Sequence, residues 1–571
     1  MRIAPAVRLR LRRSALTCAA AALGACAMAP LQVDTSARAP VLTGFGASTL
    51  VITTRSADAQ RLFSQGMAQA YAFNEVEAVR AFKAALAQDP TCAMCAWGVA
   101  YQLGPNINDT QRGDLRDALS HVDLALRHLD GVPPRERALI EALGSRYDHR
   151  SQKATTAVMA AAVCTTRSGD KKPDPLDVAY AARMRELADR FKDDPDVVAI
   201  YAEAEMIATP SDEWWELATG RPVGRMGEVA DRLERALKQQ PAHVGLNHYM
   251  IHAVDSLPVA ARAEAAANRL AALAPNSPHL VHMPSHTFSW LGRYADASRV
   301  NQRALELDVA LANELKTQGF SNSKDWRLHN GHFFWYAALM EGRGDAALDA
   351  ARAAAARAKA DHDFAELVRA RPVLTLVRMA RWEAVLQEPL PTGNQGMATV
   401  LGQYARGAAS ARSGQPPQAA AALALLEPAA AKVIAAHAES DNFGKLLRSA
   451  AVVARASLRA ELALSEGRID AALAHQAEAV TAGKFLDDNE PPTLGAGARL
   501  MLGDMQLQAR RWTEAEQTFR ADLALHPRSG WALRGLVKSL QGQGRNAEAA
   551  AQLAALAREW RTADADLLRS L

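Results

Sequence analysis

The sequence predicts an all-α fold, a solenoid of stacked helix-turn-helix repeats wound into a right-handed superhelix. Three observations point there. Small and large residues recur on a 34-residue ruler in several parts of the chain. Hydrophobic residues make up 49% of the chain but aromatics only 6%; much of the rest is alanine, which suits helices whose axes approach closely. Alternating runs of strand type are scarce. At 571 residues the chain is too long for one compact core, so several domains or one extended array are expected.

From the N-terminus, residues 1–25 read as a targeting segment. Arg2, Arg8, Arg10, Arg12 and Arg13 precede a short apolar run. Leu23-Gly24-Ala25-Cys26 resembles a bacterial lipobox, in which Cys26 is lipidated after cleavage; simple cleavage after Ala29 is the alternative. Ala27 gives no aspartate-type retention signal, so the expectation is a periplasm-facing lipoprotein of the outer membrane. Loss of residues 1–25 removes five arginines and no acid, which moves the formal charge from +4 to −1. Nothing in that balance calls for nucleic acid. No later stretch reads as a membrane-spanning run.

The expected organisation continues with a tether and irregular arm over 26–55 and an N-terminal array over 56–310. Middle repeats with an insertion cover 311–452, and C-terminal repeats cover 453–565. The ruler is of the tetratricopeptide (TPR) type. Anchored at Ala59, it puts Gly66 at position eight, Ala78 at twenty, Phe82 at twenty-four, Ala85 at twenty-seven and Pro90 at thirty-two. Glycine and alanine sit where helices touch, phenylalanine fills the core, and proline ends the second helix. Further units start at Val244, Pro278 and Leu328; the C-terminal end repeats the pattern through Gly503, Trp512, Ala515, Phe519 and Pro527. Residues 93–240 and 362–452 are helical in period but irregular in spacing. Insertions fall near 104–112, 165–175, 209–223 and 312–327.

The stretches CAMCAWG, GPNIN, GLNHYMIHAVD, HLVHMPSHTFSWLGRY and HNGHFFWYAALMEGR resemble a group of bacterial envelope TPR proteins with NHxxIHA and HMPSH motifs. The resemblance spans about Leu42 to Arg545. It implies the fold and no particular activity. Two departures stand out. Relatives tend to carry histidine after the AFN motif, where this chain has Glu75, and aromatics after EPP, where it has Thr493-Leu494-Gly495.

Eight of the fifteen histidines lie between His243 and His332. His248 and His252 occupy positions five and nine of one unit, and His282 and His286 the same positions 34 residues later. His332 and Tyr336 follow at positions five and nine of the third unit, while His279 and His329 share position two. Positions two, five, nine and twelve form one helix stripe beside the packing stripe. In such arrays that stripe lines the concave groove. Three readings stay open: a metal or catalytic site, a metal-free groove for an anion or carboxylate, and a structural network. Imidazoles four apart on a helix suit copper or zinc. The candidate ligands are His248, His252, His282, His286, His329 and His332, with Asn247, Asp255, His279 and Tyr336 as supporting groups. Asp255 and Asn247 are expected behind His252 and His248, and His243 on the surface. Pro284, inside the HMPSH motif, implies a late start or a kink in its helix.

Cys92 and Cys95 admit a disulfide, a redox or thiolate site, or two small buried side chains. Ala96 excludes c-type haem attachment. Trp214 and Trp215 would cap the groove or anchor their loop, and Met94 and Trp97 would line the groove. No Walker A, GxSxG, HExxH or dinucleotide fingerprint is present. Two functions follow. The first is an interaction scaffold whose histidine-lined groove takes a peptide, a protein partner or a small molecule. The second is a copper or zinc protein or metalloenzyme.

Overall fold

A computed structural model describes residues 31–108, 115–147, 173–209, 214–321, 324–487, 491–495 and 497–569. The targeting segment, Cys26 and Cys164 lie outside these residues, as do parts of all four insertions. Among the described residues the regular structure is helical, with one isolated β-bridge between Trp215 and Pro222 and no strand. Helices follow one another in packed pairs, the arrangement of an all-α TPR-type solenoid. The first pair is Ala57–Tyr71 with Glu75–Gln88, and the last is Gly530–Gly542 with Asn546–Glu559.

The ruler has a direct packing cause. A Cβ on Gly66 would stand 2.5 Å from the Phe82 ring, and a Cβ on Gly98 would stand equally close. Phe82 is fully buried in the gap these two glycines leave. Gly503, Phe519 and Gly535 repeat that wedge near the C-terminus, again at spacings of sixteen. Ser56, Asp194, Ser277 and Ser529 cap their helices through side-chain oxygens.

The helices meant to carry the histidines are Val244–Ala253, the broken pair Pro278–His282 and Pro284–Trp290, and Arg327–Met340. Met283 interrupts the second, because Pro284 starts a new helix at its first position. Trp214 and Trp215 are buried and donate to the carbonyls of Thr209 and Ala253, so they anchor their loop. The other half of the expected groove lining is absent too. Met94 is buried, and Trp97 donates to Leu139 O.

Three large cores run along the chain. The first extends from Leu42 to Ala337, the second from Leu348 to Ala498, and the third joins Tyr294–Met340 to 500–567. Both internal boundaries drawn from the sequence fall inside helices, Tyr294–Thr317 and Asn442–Ser465. The last repeats turn back on the middle ones. Trp531 Nε1 donates to Leu339 O at 2.7 Å, Trp560 Nε1 to Met340 O at 3.0 Å, and Asp564 N to Gly342 O at 2.9 Å. The helix-free arm is equally engaged. Val41 exchanges two hydrogen bonds with Gln318, Asn276 holds Thr43 O, and Leu42, Phe45, Leu50 and Ile52 are buried. Packing of the arm begins at Leu31 and Val33, which lie against the first core. One helix, Pro416–Ala436, is long and apolar enough to cross a membrane by length and composition, contrary to the sequence reading; here it packs beside Met397–Arg412 and Asn442–Ser465.

Candidate metal centre

The six histidines brought together form two sets of three. In the first, His248 Nε2 lies 3.0 Å from His252 Nε2 and 3.1 Å from His279 Nε2. In the second, His282 Nε2 lies 3.0 Å from both His286 Nε2 and His329 Nε2. Within each set the candidate ligand atoms all lie within 4.8 Å of one another. Each set combines positions five and nine of one repeat with position two of the next. The second set is thus the first carried forward by one repeat, with the 312–327 insertion accommodated before His329.

Hydrogen bonds on the far side of the rings assign the tautomers. His248 Nδ1 donates to Tyr71 O at 2.7 Å. His282 Nδ1 donates to Asn301 Oδ1 at 2.6 Å. The amide cannot be reversed, because Asn301 Nδ2 already donates to Ala297 O. His286 Nδ1 donates to Asp255 Oδ2 at 3.0 Å, while Asp255 Oδ1 accepts from Trp290 Nε1. With its proton on Nδ1, His282 presents its Nε2 lone pair to His286 Nε2 and His329 Nε2, each 3.0 Å away. Imidazole nitrogens converging in this way form a donor set that a cation can take. Outer oxygens that orient imidazoles in this way are the usual support of metal-binding histidines.

The sets are dry. His248, His279, His282 and His286 are fully buried, and His252 and His329 nearly so. Burial pushes the His248 imidazolium pKa down to about 3, and burial with neighbouring imidazoles pushes His279, His282 and His329 well below the ordinary value. These four rings are therefore neutral, the form that ligates metal. Aromatic side chains close the chamber. Phe73 stacks on His252 and His279 at centroid distances of 5.5 and 5.1 Å. Trp326 stacks on His279 at 4.6 Å, and Phe333 touches His282, His286 and His329. Phe73 reaches in from the loop of the first helix pair with φ +49°, a left-handed conformation that is uncommon for a bulky residue. Lys324 holds that loop through Phe73 O and a 2.8 Å ion pair with Glu75.

The structure corrects several expectations. The histidine stripe is enclosed instead of lining an open groove. His279, expected behind a ligand, brings its own Nε2 into the first set. His332, expected as a ligand, is outside both sets and stands 5.7 Å from Trp335. Tyr336 packs on Tyr294. Asn247 donates to Pro241 O and His243 O and accepts from Arg269, so it does not orient His248. Asp255 serves His286 of the next repeat. His243 is buried, caps its helix and pairs with Asp196 at 3.1 Å. Cys92 and Cys95 are joined in a buried disulfide and offer no thiolate.

Sequence reasoning missed Phe73, Trp326, Phe333 and Asn301. One signal for Asn301 was readable. It occupies position twenty-four of its repeat, where the first repeat carries the core residue Phe82. A buried amide in a phenylalanine slot needs a polar partner, and His282 is that partner.

Chemically, each set offers three imidazoles among the described residues, a donor number that leaves a position for a further ligand. Across the sets the His279 and His282 centroids are 6.1 Å apart, and those of His252 and His286 6.3 Å. Ions held in both sets would share one chamber.

No family model and no curated relative matches the sequence. Solved structures with some similarity include the Cut9–Hcn1 hetero-tetramer of the APC/C, at a TM-score of 0.27 and 11% identity over 90% of each chain. The P58(IPK) TPR domain gives a TM-score of 0.19 and 11% identity over 86% of this chain and 99% of that one. Yeast Tom70 gives 0.25 and 13% over 80% and 90%. At such TM-scores the similarity says nothing of what this chain binds.

Proposed function

We propose that this protein is a metalloprotein holding two transition-metal ions, one in each trihistidine set. The observation that carries the proposal is the convergence of three buried imidazoles in each of two sets, their candidate ligand atoms all within 4.8 Å, with His248, His282 and His286 braced at Nδ1 by oxygen acceptors. All-imidazole donor sets suit copper and zinc. A three-histidine ion keeps an open position, and two such positions in one chamber take a small bridging molecule. Zinc there would activate water; copper would add one-electron chemistry. The aromatic closure restricts the chamber to small ligands. Elemental analysis of protein purified without a histidine tag tests the proposal. Two ions per chain are expected, as purified or after anaerobic reconstitution with copper(I) or zinc. Stoichiometric metal under none of these conditions overturns it.

TPR arrays commonly present binding surfaces to other proteins, and a peptide or protein partner remains a second reading. It applies to the outer faces of the solenoid, since the histidines are enclosed. The lipobox supports anchorage through Cys26 in a periplasm-facing outer membrane. Mass spectrometry of the mature N-terminus decides this, because an unmodified end beyond Cys26 means simple secretion.

A further inference from the structure

The C-terminal half encloses a second, separate space. It is a cavity of about 620 Å³, within the usual size of small-molecule sites. Most helices around it are the first members of successive pairs: Asp363–Arg378, Met397–Arg412, Asn442–Ser465, Ala498–Gln508 and Gly530–Gly542, with Trp382, Trp512 and Phe519 added from second members. It lies near where the last repeats fold back on the middle ones. None of the six clustered histidines lines it, nor do Phe73, Trp326 or Phe333.

The lining divides in two. Leu374, Leu401, Val453 and Phe519 give it an apolar wall. Four cationic side chains, Arg378, Arg412, Arg534 and Lys538, stand against two acids, Glu461 and Asp504. Glu461 is already engaged. It takes a two-pronged hydrogen bond from Arg412, with Nη2 to Oε1 at 2.8 Å and Nε to Oε2 at 2.5 Å. Asp504 alone then faces the three remaining cations. Arg378 lies flat against Trp531, its guanidinium carbon 4.1 Å from the ring centroid. Its Nη2 is buried without a hydrogen-bond acceptor, and so is Arg534 Nε. Both side chains line the cavity, so the cations there outnumber the acids beside an apolar wall, an excess that an anion with an apolar body would offset.

We infer that this cavity binds an organic carboxylate with an apolar body, the carboxylate between Arg378 and Arg534 and the body along the Leu374–Leu401 wall. Arginine is suited to this, since its planar fork matches two carboxylate oxygens. Burial also pushes the Arg378 pKa down to about 10, a sign that its charge lacks compensation here.

Calorimetric titration of the full chain tests the inference, with dodecanoate, dodecan-1-ol and dodecyltrimethylammonium as probes below their aggregation concentrations. Dodecanoate is expected to bind once per chain, at least about tenfold more tightly than the alcohol, with the ammonium weaker still. The double variant Arg378→Met, Arg534→Met should lose about tenfold or more in dodecanoate affinity and keep its affinity for the alcohol. Where circular dichroism shows that this variant does not fold, Asp504→Asn replaces it, and removal of the acid should tighten dodecanoate severalfold. Three findings would overturn the site: no dodecanoate binding, equal binding of all three probes, or unchanged dodecanoate affinity in whichever variant folds.

Discussion

Asn301 Oδ1 accepts the Nδ1 proton of His282 at 2.6 Å, and this one contact fixes the Nε2 lone pair of His282 toward His286 and His329. The amide is itself held by Ala297 O, so the imidazole, the amide and the backbone form one rigid relay.

Replacing Asn301 with leucine should weaken metal binding at the second set by about 10–100-fold, the usual cost of losing such a support. The first set, braced through Tyr71 O, should be unaffected. Competition titration with a chromophoric chelator separates the two ions. Equal weakening of both would contradict the division into two sets.

His252→Ala and His286→Ala should each release one ion and leave the other, because the two residues belong to different sets. His332→Ala should release none, although it lies on the same ruler. His121 and His475 serve as distant controls. Metal counting by mass spectrometry under native conditions reads all five variants, and loss of an ion in His332→Ala would mean that the sets are drawn wrongly.

Phe73→Ala should accelerate removal of metal by an external chelator by about tenfold or more, since Phe73 covers His248, His252 and His279. Truncating a buried phenylalanine also costs on the order of 3–5 kcal/mol. Stopped-flow release compared with Phe63→Ala, a buried phenylalanine of the same first repeat, distinguishes opening of the chamber from general loosening.

Asp308 carries the pH dependence. Burial raises its carboxyl to about 7 from the ordinary 3.8, despite the hydrogen bond donated by Asn330. Between those values the folded chain keeps a proton that the unfolded chain has lost, so its contribution falls as pH rises from about 4 to about 7. Asp308→Asn is spared this loss. Its stability relative to the parent chain should therefore grow over that range and level off above it, by on the order of 2–4 kcal/mol. Urea melts at pH 4 and pH 8 check the sign, and a constant difference would refute it.

The sequence by itself determined what is local and periodic. Helical period, the sixteen-residue spacing of Gly66 and Phe82, and the shared stripe of His248, His252, His282 and His286 are all properties of single helices or adjacent pairs. So was the option of a Cys92–Cys95 disulfide. Tertiary structure alone decided which stripes meet. The tilt from one repeat to the next sends position two of each repeat to positions five and nine of the one before, which gives sets of two and one, with His279 inside and His332 outside. The same holds for Phe73 over His248, 175 residues apart in number, and for Trp531 on Leu339 across 192. A helix's period fixes the direction of a side chain around its own axis. It carries no information about how far the superhelix has turned when distant helices come into contact, and that turn is what closed the histidine stripe into a buried chamber.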